Sequence, residues 1–135
     1  MCSVSSSGWA ETFEEIKEWA EQGHDFAQHR LGMMYAKGEG VPQDSKEAVR
    51  WYTKAAEQGI ASAQNNLGFS YAKGQGVLQD YVRSHMWYNI AAANGYEDGP
   101  KNRDIVAEEM TSDQIAEAQK MAREMVEANP KLMGE

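Results

Sequence analysis

The chain matches itself when it is shifted by 36 positions. Ala27, Gln28, Leu31, Gly32, Tyr35, Ala36, Lys37 and Gly38 recur as Ala63, Gln64, Leu67, Gly68, Tyr71, Ala72, Lys73 and Gly74. Gly40, Val41, Gln43 and Asp44 then recur as Gly76, Val77, Gln79 and Asp80. Trp51, Tyr52, Ala55, Ala56 and Gly59 recur as Trp87, Tyr88, Ala91, Ala92 and Gly95, with no gap anywhere. A period of this length means stacked supersecondary units, because one unit alone cannot bury its own apolar face. Outside the two copies the match decays, as the end units of a stack must close it against water. Ala20, Glu21, Gln22 and Gly23 still answer to Ala56, Glu57, Gln58 and Gly59, whereas Gly99 and Pro100 stand where Ala63 and Gln64 stood.

Within a unit the apolar spacing is helical. Ala27, Leu31, Tyr35 and Gly38 fall three or four residues apart and form one face. Gly32 on that face leaves room for a neighbouring helix, at a cost in helix propensity of roughly 1 kcal/mol. The run Gly38-Glu39-Gly40-Val41-Pro42 ends the helix. Asp44 with Glu47 three residues on predicts an N-cap with a capping box for a second helix. That helix's apolar face is Ala48, Trp51 or Tyr52, Ala55 and Ala56, and Gly59 and Gly95 end the second helices as residues able to take positive φ. Thr111 with Gln114 predicts a capping box for a last helix, which carries the stripe Ile115, Ala118, Ala122, Met125 and Val126 and closes at Pro130. The expected organisation is a tail at 1–11, a half unit at 12–23, units at 24–59 and 60–95, and a partial unit with a cap at 96–135. That makes one domain of about seven helices: an all-α α-solenoid of antiparallel helix pairs.

The phrases Ala27-Gln28-x-x-Leu31-Gly32-x-x-Tyr35-Ala36-x-Gly38-x-Gly40-Val41-x-x-Asp44 and Trp51-Tyr52-x-x-Ala55-Ala56-x-x-Gly59 resemble the Sel-1-like repeat family, a branch of the tetratricopeptide-like superfamily. The period exceeds the tetratricopeptide unit of about 34 residues. The resemblance covers residues 20–95 and implies a right-handed superhelix. The segment after Gly95 is similar to a bacterial ending of the family, which implies a helix through 103–110 before the capping helix. The resemblance also implies a non-catalytic module that binds a protein or peptide, of the adaptor kind found in signalling, envelope and host-contact settings. Cysteine-rich members are linked to β-lactam binding or hydrolysis, but they carry paired cysteines inside each repeat. Here the single cysteine is Cys2, so that link does not transfer.

Composition narrows the alternatives. The net charge is −8, which disfavours nucleic acid, because affinity for a polyanion rests on Lys and Arg contacts to phosphate. No run of apolar residues is long enough for a membrane helix, and the opening Met-Cys-Ser-Val-Ser-Ser-Ser-Gly is too short and polar for a signal peptide. The compartment is left open between cytoplasm and periplasm. His24 and His29 are five apart, off the i, i+4 spacing of two ligands on one helix face, and His85 lies in another unit. Gly38-x-Gly40 lacks the Lys-Ser/Thr of a phosphate loop and follows a helix. No metal, cofactor or catalytic group is expected.

If the pairs stack as in tetratricopeptide arrays, the first helix of each unit lines the concave face. The resemblance then points to Phe26, His29, Arg30, Met33 and Lys37, with Ser62, Asn65, Asn66, Phe69 and Lys73 as their counterparts, as a partner-binding surface. Four of these five pairs differ between copies while the core positions agree, as a chosen ligand groove or as drift on an unconstrained surface. Met33 and Phe69 either pack inside the superhelix or floor a peptide site. Lys37 and Lys73 either complement their helix dipoles or, with Asn66, clamp a peptide carboxylate as in related repeat proteins. Trp9, Phe13, Ile16 and Ala20 line one face of the first helix, and Trp19 stands where later units have Ala55 and Ala91. That end seals the stack or joins a second copy in a homodimer.

Overall fold

A computed structural model describes residues 12–134; Trp9 and the expected 1–11 tail lie outside them. Seven α-helices follow one another among the described residues: α1 (Phe13–Glu21), α2 (Asp25–Lys37), α3 (Ser45–Glu57), α4 (Ala61–Lys73), α5 (Tyr81–Ala93), α6 (Gly99–Ala107) and α7 (Ser112–Ala128). A 3-10 turn, Pro130–Met133, ends the fold. Helices α2 and α3 form one pair, α4 and α5 the next, and α3 packs on α4 to join them.

The helix ends follow from local chemistry. Asp44 and Asp80 each accept a hydrogen bond from a backbone amide three residues on, at 3.1 and 3.0 Å. The expected capping box of α3 is only half made, because the Glu47 carboxylate turns to Arg50 at 3.3 Å. Both boxes on α1 (Thr12 with Glu15) and α7 (Thr111 with Gln114) are complete. Gly59 and Gly95 take φ of +94° and +88° as expected. The helix expected at 103–110 lies earlier in the chain, at Gly99–Ala107. Gly99 and Pro100 occupy its first turn, where proline sacrifices no helical hydrogen bond, and Gly99 lies so close to Ala92 that an added Cβ would stand 2.8 Å from its Cα.

The sequence left open whether Trp51 or Tyr52 faces the core; both do, each in a different core cluster. Trp51 packs with Ile16, Ala20, Ala27, Leu31 and Met34, while Tyr52 joins Ala48, Leu67, Met86, Trp87 and Ile90. Helix α3 thereby stitches the half unit before it to the unit after it.

The cap departs from the repeat. Helix α7 doubles back onto α5, and the turn behind it reaches α3. On α3 the corresponding outer face carries exposed Arg50 and Lys54, whose charged groups sit 4.9 and 5.8 Å from the Trp51 ring. On α5 the same register positions are Met86 and Ile90, at 1% and 2% exposure, packed in one cluster with Ala122 of α7. Burying each such side chain contributes about 1.5–3 kcal/mol. Leu132 follows into the core at 1% exposure. Its carbonyl accepts from Gln64 Nε2 at 2.8 Å and from the Asn94 side chain, while Asn129 Nδ2 donates to the Glu57 carbonyl at 3.1 Å. One junction earlier the longer Gln58 reaches Gly23 O and Gln28 Oε1 by itself, at 3.0 and 2.8 Å. Asn94 is one methylene shorter, and the Leu132 carbonyl serves as its second acceptor.

Candidate binding face

The first helices of successive units, α2, α4 and α6, are tied by side-chain rungs. Asn66 Nδ2 lies 3.3 Å from His29 Nε2, and Asn102 Nδ2 donates to Asn65 Oδ1 at 3.0 Å; both rungs join residues 37 apart. Three of the ten expected partner-binding residues, His29, Asn65 and Asn66, are thus engaged in holding the units together. Asn65 is also buried, at 9% exposure.

Two cavities open along this face at the same register. The first, about 270 Å³, includes Ala36, Ser45, Tyr52, Asn66, Phe69 and Ser70 among its walls. In the second, about 400 Å³, the same register positions hold Ala72, Tyr81, Tyr88, Asn102, Ile105 and Val106. Glycine sets the floor of each. The Tyr52 ring lies on Gly32 and the Tyr88 ring on Gly68, where an added Cβ would stand 2.7 and 2.6 Å from ring carbons. Burial pushes both phenols up to about 12, so they stay neutral hydrogen-bonding groups at physiological pH. Phe69, 44% exposed, belongs to both cavities and forms the ridge between them.

The remaining expected residues are spread along the face. Met33 is half-buried and packs against the main core cluster. Lys37 is exposed and Ser62 half-buried. Lys73 lines the second cavity, its Nζ 6.0 Å from the Phe69 ring centroid, whereas Asn66 lines the first. Phe26, 72% exposed, and Arg30 line a separate hollow of about 520 Å³ with Ile16 and Trp19, at the open end of α1 and α2. Sequence reasoning missed Asn102, Ile105, Glu108 and Glu109, because the identity match stops at Gly95, and Tyr81, because the second copy departs there from Ser45. Carrying the 36-residue ruler through α6 regardless places Asn102 on Asn66 and Ile105 on Phe69.

Two histidines carry depressed pKa values. Burial holds His29 below its ordinary 6.5. His85, at 3% exposure with no hydrogen-bond partner for Nδ1 among the described residues, is lowered by burial and then by the Arg103 cation. The unfolded chain therefore takes up these protons first as pH falls. Stability from neutral imidazoles is complete above 6.5 and is lost as pH drops below it toward the folded-state values. The urea midpoint is expected to fall between about pH 7.5 and about 5.5, and to fall less in His85→Val, which carries the residue of the matching position Val49. An unchanged pH response in that variant would remove His85 from the account.

Among the described residues no group of three or more His, Cys, Asp or Glu could hold a metal ion, and no helix is long and apolar enough to cross a membrane. The architecture defines a class: helical-hairpin repeats stacked into an α-solenoid. The Sel1 repeat matches residues 25–60 and 61–96, and the chain belongs to the Sel1 repeat family. Such repeats are generally scaffolds for protein interaction. Among solved structures the chain is similar to c5321, a protective antigen of uropathogenic Escherichia coli displaying an SLR fold, with 34% identity and a TM-score of 0.84. That likeness covers 90% of this chain and 27% of the antigen. It is also similar to a Sel1 repeat protein from Oxalobacter formigenes, with 42% identity and a TM-score of 0.66 over 67% of this chain and 68% of that one. Among curated proteins none matches.

Proposed function

We propose that this chain is a non-catalytic adaptor that binds an extended segment of a partner protein along the face formed by α2, α4 and α6. The observation that supports this reading is the pair of cavities one period apart, each floored by a tyrosine on a glycine and divided by the exposed ring of Phe69. An extended chain could seat successive side chains in them, and the apolar ridge supplies the kind of aromatic anchor on which binding energy concentrates. The resemblance to bacterial structures makes a bacterial lysate the place to look.

Phe69→Glu tests it. Phe69 is half out of the core, so the variant should fold, which circular dichroism would verify. Capture of a partner by the native chain and at least about a tenfold loss in the variant is the expected result, equivalent to about 1.4 kcal/mol. Equal capture by both would sink the reading.

A second reading, self-association, draws on the other end. Trp19 at 43% and Phe26 at 72% exposure flank the hollow on α1 and α2, where the repeat frame would set the first helix of a preceding unit. A mass that doubles with concentration, and stays single in Trp19→Ala, would favour it.

A further inference from the structure

The two cavities share a register but differ in chemistry. Where the first has Ser45, the second has Tyr81, so the second is walled by three aromatic rings: Phe69, Tyr81 and Tyr88. Its lining carries Glu108 and Glu109 against the single cation of Lys73, so carboxylates outnumber cations there. Glu109 occupies the register position held by Lys37 and Lys73 in the preceding units, so the charge at this point of the face inverts at the last unit. Both carboxylates are exposed, and neither belongs to an ion pair among the described residues.

Aromatic faces attract cations through their quadrupoles, and carboxylates in the lining add a direct charge. The Lys73 ammonium already engages the Phe69 ring at this wall, so an incoming cation would meet Tyr81, Tyr88 and the two carboxylates. We infer that the second cavity is a cation site, and that its occupant is an arginine or lysine side chain of the bound peptide segment. The inference rests on the reading that this face receives a peptide. The volume of about 400 Å³ suits a long flexible side chain entering between α4 and α6, and the net charge of −8 favours a basic partner over an acidic one. The first cavity, smaller and lined by Ser45, Asn66 and Ser70 without a carboxylate, takes a neighbouring side chain that is uncharged.

The test uses amide chemical-shift titration with N-acetyl-arginine amide, and with N-acetyl-citrulline amide as its neutral analogue of equal shape. Shifts are expected around Tyr81, Tyr88, Asn102, Glu108 and Glu109, shrinking with added salt. Binding should weaken at least about threefold in E108Q/E109Q, and by a similar factor in Tyr81→Ser, which recreates the first cavity's wall. Identical shifts from the citrulline compound, shifts confined to other surfaces, or none at saturating arginine amide would each overturn the cation site. A partner captured by the native chain, lost in Phe69→Glu and unaffected by E108Q/E109Q would also overturn it while leaving the peptide groove intact. Charge-selective arginine binding with partner capture indifferent to Phe69→Glu would keep the cavity and defeat the groove.

Discussion

Leu132→Ala is expected to lower the stability of the chain by about 3 kcal/mol. Leu132 is 1% exposed, in the turn that follows α7. It sits in the cluster with Ala56, Ala63, Trp87 and Ile90. Truncation removes its transfer free energy and leaves a cavity, since α3 and α5 are held apart by α4 and cannot collapse onto the gap. Its carbonyl keeps both amide donors, so the loss is one of packing alone. Against a typical stability of about 5–15 kcal/mol, such a change moves the urea midpoint well outside error. Leu78→Ala, at a residue 90% exposed, provides the control and should change little. Equal midpoints for the two variants would mean that the terminal turn does not close the core in solution.

Gly68→Ala is expected to destabilise by about 1–2 kcal/mol, although alanine is the better helix former. Helix propensity would contribute about 1 kcal/mol in favour. The new methyl would stand 2.6 Å from Tyr88 Cδ1, and forcing the ring away costs about 1–3 kcal/mol or more in a close-packed interior. The sign of the effect therefore depends on Tyr88. Made on a Tyr88→Ala background, the same substitution should become neutral or stabilising by about 1 kcal/mol. A double-mutant cycle by chemical denaturation reads this reversal directly. If Gly68→Ala destabilises equally on both backgrounds, the ring is not what the glycine makes room for.

How much of this could be read from the residues varies along the chain. The helix pairs between 20 and 95 were legible because the repeat states each boundary twice: Asp44 and Asp80 cap, and Gly59 and Gly95 end. The place of Gly32 against a neighbouring helix was legible for the same reason, though not that Tyr52 fills it. The cap was read as a helix but not as one folded back over α5. The signal was present in the differences between copies, where Arg50 and Lys54 become Met86 and Ile90: a face that turns from charged to apolar has acquired a cover. The terminal turn carried no such signal, since a single Leu132 among polar neighbours has no periodicity. On the candidate face, Phe26, Arg30, Lys37, Phe69 and Lys73 are exposed, whereas Asn65 is buried. Which residues of that face were engaged in rungs was not readable, because a bond such as Asn65 to Asn102 depends on the rotation between units. Glu47 failed to complete its box for a similarly local reason, the competition of Arg50.

The cover on α5 has a consequence for the two repeats themselves. They read as duplicates, yet they are no longer interchangeable parts. The unit carrying Met86, Ile90 and Asn94 can only be last, because elsewhere its outer face would lie bare to water. The unit carrying Arg50, Lys54 and Gln58 can only stand ahead of it, because it offers α7 a charged surface and already satisfies its own glutamine. Two closely matching units thereby carry a direction, and the order of the units is part of what the sequence encodes.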